Sequence, residues 1–399
     1  MANHDQILRE LLEKIAEEYK YKDATYKIEP VSSEGANYSS ALYNITVSSP
    51  NNEDLNLFAK VLSFSEKTRS AMVDTDTLPS DPSETERFVY QELAEKFKEL
   101  ELKCGIPMEE RYAFTKFYCH QPNTNAETVI LENLAVKGFE VYDRLKSIDW
   151  PYASKAVEVL AKFHGLAMAY EEHNPEEYKD ILIKYTNKIE PIYKYMSSSF
   201  KDFAETALSV TREENKEKLK KFIDSLSSFE NVLHVYSKPQ RKPVIIHSDF
   251  RPSNIMHRIN KNGTIDLIPL DYQTIHSGCC VSDLIYLIIL GSDAPFRARY
   301  YQRLVDHYYD SLRNTLIRLK MDPDQIYPRK DFDYELREAL PYGLIVAIFG
   351  LPLITVLPDD APDMTSDNFM DGMTKIKTSS LYPDRINGVI DDYVKWGVL

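Results

Sequence analysis

Two short apolar runs of this chain are joined through Asn262-Gly263, and this junction restricts the fold more than any other feature. Asn-Gly between two β-type runs is a strong short-range signal for a hairpin, because both residues accept the positive φ of a tight turn. Pairing of the two runs about that turn brings the end of the second run beside the start of the first. Asn254, before the first run, and Asp271, after the second, should therefore share one open end, with Asp249 one short loop away.

Three oxygen-bearing side chains converging at the mouth of a hairpin indicate a particular chemistry. Mg²⁺ takes a few hard oxygen ligands from protein and completes its octahedron with water and substrate phosphate. The stretch at 247 to 254 reads HSDFRPSN, and the segment after the hairpin begins DYQ. We therefore expect a phosphoryl-transfer site at this hairpin.

The pattern HxDxxxxN, followed by an aspartate after a hairpin, resembles the catalytic and metal-binding loops of the protein-kinase-like superfamily. The resemblance implies that Asp249 accepts the proton of the attacking hydroxyl and that Asn254 and Asp271 hold Mg²⁺. It places Arg251 where related kinases have a cation near the γ-phosphate of ATP. His247 would hold the loop by hydrogen bonds.

The order of predicted elements is that of an α+β chain whose first third is rich in strands. Alternating apolar and β-branched residues predict strands at 25 to 31, 41 to 47, 55 to 64, 111 to 118 and 127 to 133. From about residue 135 the pattern is mostly helical, apart from a strand-rich stretch at 244 to 270. With the superfamily resemblance, this order implies a bilobal protein-kinase-like fold. A small β-rich N-lobe at 1 to 132 and a larger helical C-lobe at 133 to 399 would face one cleft.

Three segments have helical patterns that carry specific expectations. Residues 1 to 20 predict an amphipathic helix. Ser83 followed three residues later by Glu86 has the spacing of a capping box, which marks the start of a second helix. The stretch at 341 to 358 has no charged residue, but Pro352 and two glycines interrupt it and no basic cluster flanks it. We interpret it as a buried core helix rather than a membrane span.

The superfamily resemblance also assigns residues of the N-terminal half to the nucleotide. A lysine near the end of the third strand should bind the α- and β-phosphates and pair with a glutamate on the following helix, and Lys60 and Glu86 have those positions. The turn between the first two strands, with Gly35, Asn37 and Ser39, would cover the phosphates with backbone N–H groups. It has one glycine where protein kinases have three.

Three further segments resemble aminoglycoside and choline phosphotransferase-like kinases. VILENL resembles their strand-to-hinge segment, which implies that backbone groups at Glu132 and Leu134 bind adenine. AKFHGLA resembles a helix of the same group, in which we interpret His164 as a packed core residue. Asp283 matches a carboxylate that follows the metal-binding loop and braces it.

Together, the turn at 35 to 40, Glu86 with Tyr90, the hinge segment and DYQ resemble the insect ecdysteroid kinase-like family, typified by ecdysteroid 22-kinases. The resemblance runs from about residue 30 to 357. It implies a kinase that uses ATP and Mg²⁺ to phosphorylate a hydroxyl of an ecdysteroid. Many members have HGDxW and DFQ, whereas this chain has HSDFR and DYQ. Arg251 in place of an aromatic residue leaves the acceptor open.

Other functions meet specific objections in the sequence. A protein kinase would carry a DFG glycine and an APE motif at activation-loop distance, and neither follows Asp271. A choline or ethanolamine kinase remains an alternative, although a cage for a quaternary ammonium favours Trp and this chain has only Trp150 and Trp396. Its 27 tyrosines could substitute. An inactive kinase fold that binds a sterol-like ligand is disfavoured, because the residues for nucleotide, metal and base are all present.

Charge and composition restrict the partners. The net charge of −14 gives no general attraction for nucleic acid or for anionic membrane surfaces. Four cysteines without CxxC and nine histidines without HExxH suggest neither a disulfide framework nor a zinc site. The N-terminus lacks an apolar run with a cleavage site. We expect a cytoplasmic protein with a small-molecule hydroxyl substrate, no nucleic acid partner and no membrane span.

Overall fold

The computed structural model of this chain describes residues 4–32, 40–62, 82–122, 126–226, 238–362, 372 and 375–399. Its N-terminal region begins with an amphipathic helix and continues into strands that pair antiparallel. These elements are α1 (His4–Glu18), β1 (Thr25–Val31), β2 (Ser40–Ser49), β3 (Asn52–Leu62), β4 (Phe117–Gln121) and β5 (Thr128–Glu132). Within the described residues the five strands form one sheet in the order β1-β2-β3-β5-β4.

The two faces of this sheet serve different parts of the molecule. Leu8, Leu12 and Ile15 of α1 pack with Ala59 and other alternate residues on one face. Because successive side chains of a strand point to opposite faces, the residue after Ala59 points away from α1. The sheet therefore directs the side chain of residue 60 toward the rest of the protein.

The helix after β3 crosses the second face of the sheet in three consecutive segments. They are α2 (Pro82–Phe88), a π-helical turn (Val89–Leu93) and α3 (Ala94–Cys104). Pro82 is the first described residue of this helix, and the capping box of Ser83 and Glu86 stays a prediction. The Ser83 hydroxyl lies 2.8 Å from His120 Nε2 of β4. A π-turn inserts an extra residue into a helix and is frequent at functional sites.

The remainder of the chain is mostly helical. Its helices are α4 (Trp150–His173), α5 (Pro175–Ser198), α6 (Phe200–Val210), α7 (Glu213–Leu226), α8 (Cys280–Gly291), α9 (Ala294–Arg318), α10 (Pro323–Ile326), α11 (Arg329–Glu338), α12 (Leu340–Thr355) and α13 (Tyr382–Lys395). Its short strands are β6 (Glu140–Val141), β7 (Val244–Ile246), β8 (Ile255–Ile259), β9 (Ile265–Pro269) and β10 (His276–Gly278). Strands β6, β8 and β9 form one small sheet, and β7 pairs with β10.

Helices α4 and α9 pack closely because of one glycine. A Cβ atom at Gly165 would lie 2.7 Å from Thr315 Cγ2. A carbon atom cannot be accommodated at that distance, so the close approach of the two helices requires glycine at this position of the AKFHGLA segment.

The apolar stretch at 341 to 358 forms most of α12, whose residues are predominantly buried among α8, α6 and α13. The prediction of a buried core helix is confirmed. Among the described residues, no helix by itself has the length and apolar character needed to cross a membrane. The pair formed by α11 and α12, bent by 46°, meets that test of length and composition.

The α+β class, with a strand-rich N-terminal region and a mostly helical remainder, is confirmed. The strand predicted at 111 to 118 is misplaced. Residues 112 to 116 form no strand, and β4 begins at Phe117. The lobe boundary at 132 to 133 stays a prediction.

Candidate active site

The β8–β9 hairpin is present and closes as predicted. Ile255 pairs with Pro269 at its open end, and Gly263 in its turn has φ 82°. The Leu270 N–H donates to the Asn254 carbonyl oxygen at 2.8 Å, one residue beyond the last strand pair. The hairpin therefore brings Asn254 and Asp271 side by side.

Asp249 lies next to this open end, and its carboxylate is held by donors from both the loop and a distant helix. Asn254 Nδ2 donates to Oδ2 at 2.7 Å. Arg251 Nε and Tyr286 Oη donate to Oδ1 at 2.9 and 2.8 Å. Arg251 Nη1 also donates to Ser253 Oγ at 2.7 Å. The structure thus joins the predicted base, the predicted cation and one predicted metal ligand in a single network.

The Arg251 guanidinium is charged within this network. Burial opposes its charge, but Asp249, then Tyr286 and Asp271, outweigh burial and raise the pKa of Arg251. Its side chain is only 13% exposed. A cation that is held in place beside the predicted base can neutralise negative charge that develops there.

Asp283, on α8, anchors the loop that contains Asp249. Its carboxylate oxygens accept from the backbone N–H groups of His247 at 2.7 Å and Ser248 at 2.8 Å, and His164 Nε2 lies 3.1 Å away. Ser248 has φ 70°, a conformation that favours glycine. The two hydrogen bonds to Asp283 hold a serine there, which explains how HSD can replace HGD. The bracing role of Asp283 matches the prediction.

His247 connects the loop to the strand that precedes the predicted metal ligand. Its Nε2 lies 2.9 Å from the Leu270 carbonyl oxygen, and the Asp249 N–H donates to its Nδ1 at 3.3 Å. A carbonyl can only accept, so Nε2 carries the proton. The ring therefore holds the loop by hydrogen bonds, as predicted. His164 is fully buried, as predicted for a core residue.

Lys60, on β3, contacts a residue of the C-terminal half. Its Nζ lies 3.2 Å from Glu86 Oε2 of α2 and donates to Asp271 Oδ1. Burial opposes the charge on Lys60, but Asp271 and Glu86 outweigh it and raise the pKa of the ammonium. Lys60 in turn outweighs burial at Asp271 and lowers the pKa of that carboxyl. The predicted phosphate-binding pair and the predicted metal aspartate are therefore one charged cluster.

The aromatic residue of DYQ is accommodated by a partner that sequence reasoning missed. Tyr272 is fully buried and its ring contacts His247 and Tyr90, at centroid distances of 4.8 and 5.5 Å. Its phenol oxygen lies 2.8 Å from that of Tyr112. A buried hydroxyl needs such a partner, so Tyr112 accommodates the tyrosine of DYQ.

The predicted hinge follows the last residue of β5. Glu132 ends that strand and pairs with Lys137 at 2.6 Å. Leu134 is buried and begins a 3-10 turn whose N-terminus is capped by the Asn133 side chain. The chain leaves the sheet between Glu132 and Leu134, where backbone groups for adenine are predicted. The turn with Gly35, Asn37 and Ser39 lies outside the described residues.

Replacing Asp283 with Ala is expected to lower the free energy of unfolding by about 2–4 kcal/mol, because it leaves two buried N–H groups without an acceptor. Asp324→Ala is the matched control. Its carboxylate pairs with Arg313 in solvent, so its loss should leave stability nearly unchanged. Urea denaturation measures both variants. Equal losses would contradict the anchoring role.

The stability supplied by Asp283 should depend on pH. Burial raises its pKa, but the hydrogen bond from His164 and the neighbouring His247 outweigh burial and lower the pKa from its ordinary value. A carboxyl with a lowered folded pKa stabilises fully above its unfolded pKa, and that stability is lost as pH falls through the folded value. The urea concentration at the unfolding midpoint should therefore decrease as the pH is lowered below the ordinary range of an aspartate pKa. Asp283→Ala should show a shallower decrease.

Two solved phosphotransferase structures are similar to this chain at low sequence identity. No curated protein matches it significantly. A solved aminoglycoside phosphotransferase from Streptomyces rimosus, in complex with ADP and streptomycin, is 13% identical, with 79% of this chain and 92% of that chain covered and a TM-score of 0.36. The GDP complex of aminoglycoside 2'-phosphotransferase-IIIa is 12% identical, with 93% and 96% covered and a TM-score of 0.43.

A model of the ecdysteroid kinase-like family matches residues 34–321, which is more than half of the chain and includes the hairpin, the loop with Asp249 and the Lys60–Glu86 pair. The chain therefore belongs to the ecdysteroid kinase-like family and is an ATP-dependent phosphotransferase that acts on hydroxyl groups.

Proposed function

We propose that this small-molecule kinase transfers the γ-phosphate of ATP to a hydroxyl of an ecdysteroid, with Mg²⁺ as its metal. The observation that carries the chemistry is the contact between two groups of residues far apart in sequence. Lys60 and Glu86 of the N-terminal region meet Asp271 beside the loop that holds Asp249. The residues proposed as phosphate clamp and general base therefore come together at the hairpin.

In this proposal each side chain of the cleft has a distinct part. Asp249 accepts the proton of the acceptor hydroxyl as the oxygen attacks phosphorus. Arg251, fixed by Asp249 and Ser253, neutralises charge on the transferred phosphoryl group. Lys60, held by Glu86, binds the nucleotide phosphates. Positioning and electrostatics of this kind supply most of the catalysis in phosphoryl transfer.

The residues at the hairpin mouth fit Mg²⁺. Within the described residues no group of three or more His, Cys, Asp or Glu side chains could hold a metal. Mg²⁺ needs no such group, because it is usually held by one or two protein oxygens, water and substrate phosphate. The Asp271 carboxylate and the Asn254 amide oxygen would hold it. When bound, the ion neutralises charge on the β- and γ-phosphates.

The ecdysteroid acceptor is supported by the family match. A steroid is a rigid apolar body with several hydroxyls, so its site combines an apolar pocket with a few polar groups that orient one hydroxyl toward Asp249. We propose the side-chain C22 hydroxyl as the acceptor.

The test compares 20-hydroxyecdysone with the same nucleus lacking the 22-hydroxyl, with choline in parallel and Mg-ATP as donor. We expect 20-hydroxyecdysone to give a monophosphate by mass, and the 22-deoxy compound to react at least about 100-fold more slowly, since it lacks the group that reaches the base. Efficient phosphorylation of choline and of no ecdysteroid would contradict the acceptor. It would leave the phosphotransferase chemistry intact.

A further inference from the structure

The two carboxylate oxygens of Asp249 are in different surroundings. Oδ1 accepts from Arg251 Nε at 2.9 Å and from Tyr286 Oη at 2.8 Å. Oδ2 accepts from Asn254 Nδ2 at 2.7 Å. A carboxylate has about four lone-pair sites, two on each oxygen. The described part of the chain therefore occupies both sites of Oδ1 and leaves one site of Oδ2 open.

Both donors to Oδ1 are held in place by the surrounding structure. Arg251 is mostly buried, and Ser253 Oγ accepts from its Nη1. Tyr286 follows Asp283 by three residues on α8, and Asp283 anchors the backbone of the same loop. The helix that fixes the loop therefore also delivers the Tyr286 hydroxyl to the carboxylate. Tyr286 is partly buried.

We propose that Tyr286 is a positioning residue that determines which hydroxyl of the acceptor is phosphorylated, because it occupies Oδ1 and leaves only Oδ2 to receive the proton. This inference rests on the proposed role of Asp249 as the base. Neither the sequence patterns nor the family resemblance assigned a role to Tyr286.

The proposal makes the direction of proton transfer specific. The acceptor O–H bond breaks and its proton passes to Oδ2. The acceptor oxygen forms a bond to the γ-phosphorus, and the bond from that phosphorus to ADP breaks, with ADP leaving as the anion. Because one lone pair receives the proton, one orientation of a polyhydroxylated acceptor is productive. Removing the Tyr286 hydroxyl opens a second lone pair, on Oδ1, and with it a second orientation.

The experiment uses Tyr286→Phe, which retains the ring and removes only the hydroxyl. Tyr309→Phe is the matched control, since it also removes a phenol that donates a hydrogen bond, to the Tyr327 carbonyl of the helical region. Each protein is incubated with Mg-ATP and 20-hydroxyecdysone, and the monophosphate isomers are separated and identified by NMR. Mg-ATP hydrolysis without acceptor is measured alongside. Thermal unfolding is used to check that the variants fold.

We expect one monophosphate from the unaltered protein and from Tyr309→Phe, and a second isomer in addition to the first from Tyr286→Phe. Hydrolysis should rise severalfold in Tyr286→Phe alone, because water can use either oxygen. A single unchanged isomer from Tyr286→Phe would overturn the proposal.

If the unaltered protein makes no ecdysteroid phosphate, the proposed acceptor is wrong, and hydrolysis then decides the role of Tyr286. A severalfold rise in Tyr286→Phe supports that role. An equal or lower rate overturns it.

Discussion

Replacing Asp249 with Asn is expected to lower kcat for phosphoryl transfer by about 10²- to 10⁴-fold, the range that general-base catalysis supplies. The substitution preserves the size of the side chain, so the loop anchored by Asp283 should stay in place. An amide cannot accept the hydroxyl proton as a carboxylate does. Steady-state kinetics with a phosphorylated acceptor measure the loss.

Mg-ATP affinity is the internal control for Asp249→Asn. Lys60 and Asp271 make the predicted nucleotide contacts and are unaltered, so calorimetry should give nearly the same Kd as for the original protein. Near-normal turnover in the variant would show that Asp249 is not the base. A large loss of nucleotide affinity would show that its role is in binding.

Replacing Asp271 with Asn is expected to weaken Mg-ATP binding by about 100-fold or more, the order of effect produced by removing one partner of a buried charge cluster. Asp271 has φ 66°, and Asn tolerates this left-handed conformation, so the backbone should be retained. The variant loses the carboxylate predicted to hold Mg²⁺. Calorimetry with Mg-ATP measures the change.

Asp266→Asn is the matched control for this prediction. It lies on β9 of the same hairpin, but its carboxylate pairs with Arg258 and is 42% exposed. Its loss should leave nucleotide affinity within a factor of about two, as for surface ion pairs generally. Equal affinities of the Asp266 and Asp271 variants would exclude the hairpin mouth as the nucleotide and metal site.

Much of the site could be predicted from the sequence because its central unit is local. A hairpin depends on its turn residues and on the alternation of its two short strands, and all of these lie within 255 to 269. Once the hairpin forms, Asn254 and Asp271 must meet. Lys60 and Glu86 lie on elements that have recognisable strand and helix patterns, so their placement required only the order of those elements.

Other parts of the site depend on contacts that no local pattern encodes. The Ser83 hydroxyl lies 2.8 Å from His120 Nε2 of β4, a contact that no neighbour along the chain indicates. The hydroxyls of Tyr112 and Tyr272 meet across 160 residues of chain. A buried polar group takes whichever partner packing brings to it, so a pattern of neighbours along the chain cannot identify that partner.

The sequence by itself determined which side chains are available for the predicted roles of base, metal ligands and phosphate-binding pair, because short motifs specify residue types at fixed spacing. The tertiary structure decided how that chemistry is directed. Tyr286 reaches Asp249 only because α8 packs beneath the loop, with Asp283 holding the loop backbone. A carboxylate oxygen is occupied or open according to which distant side chains arrive beside it, and only packing in three dimensions determines that arrival.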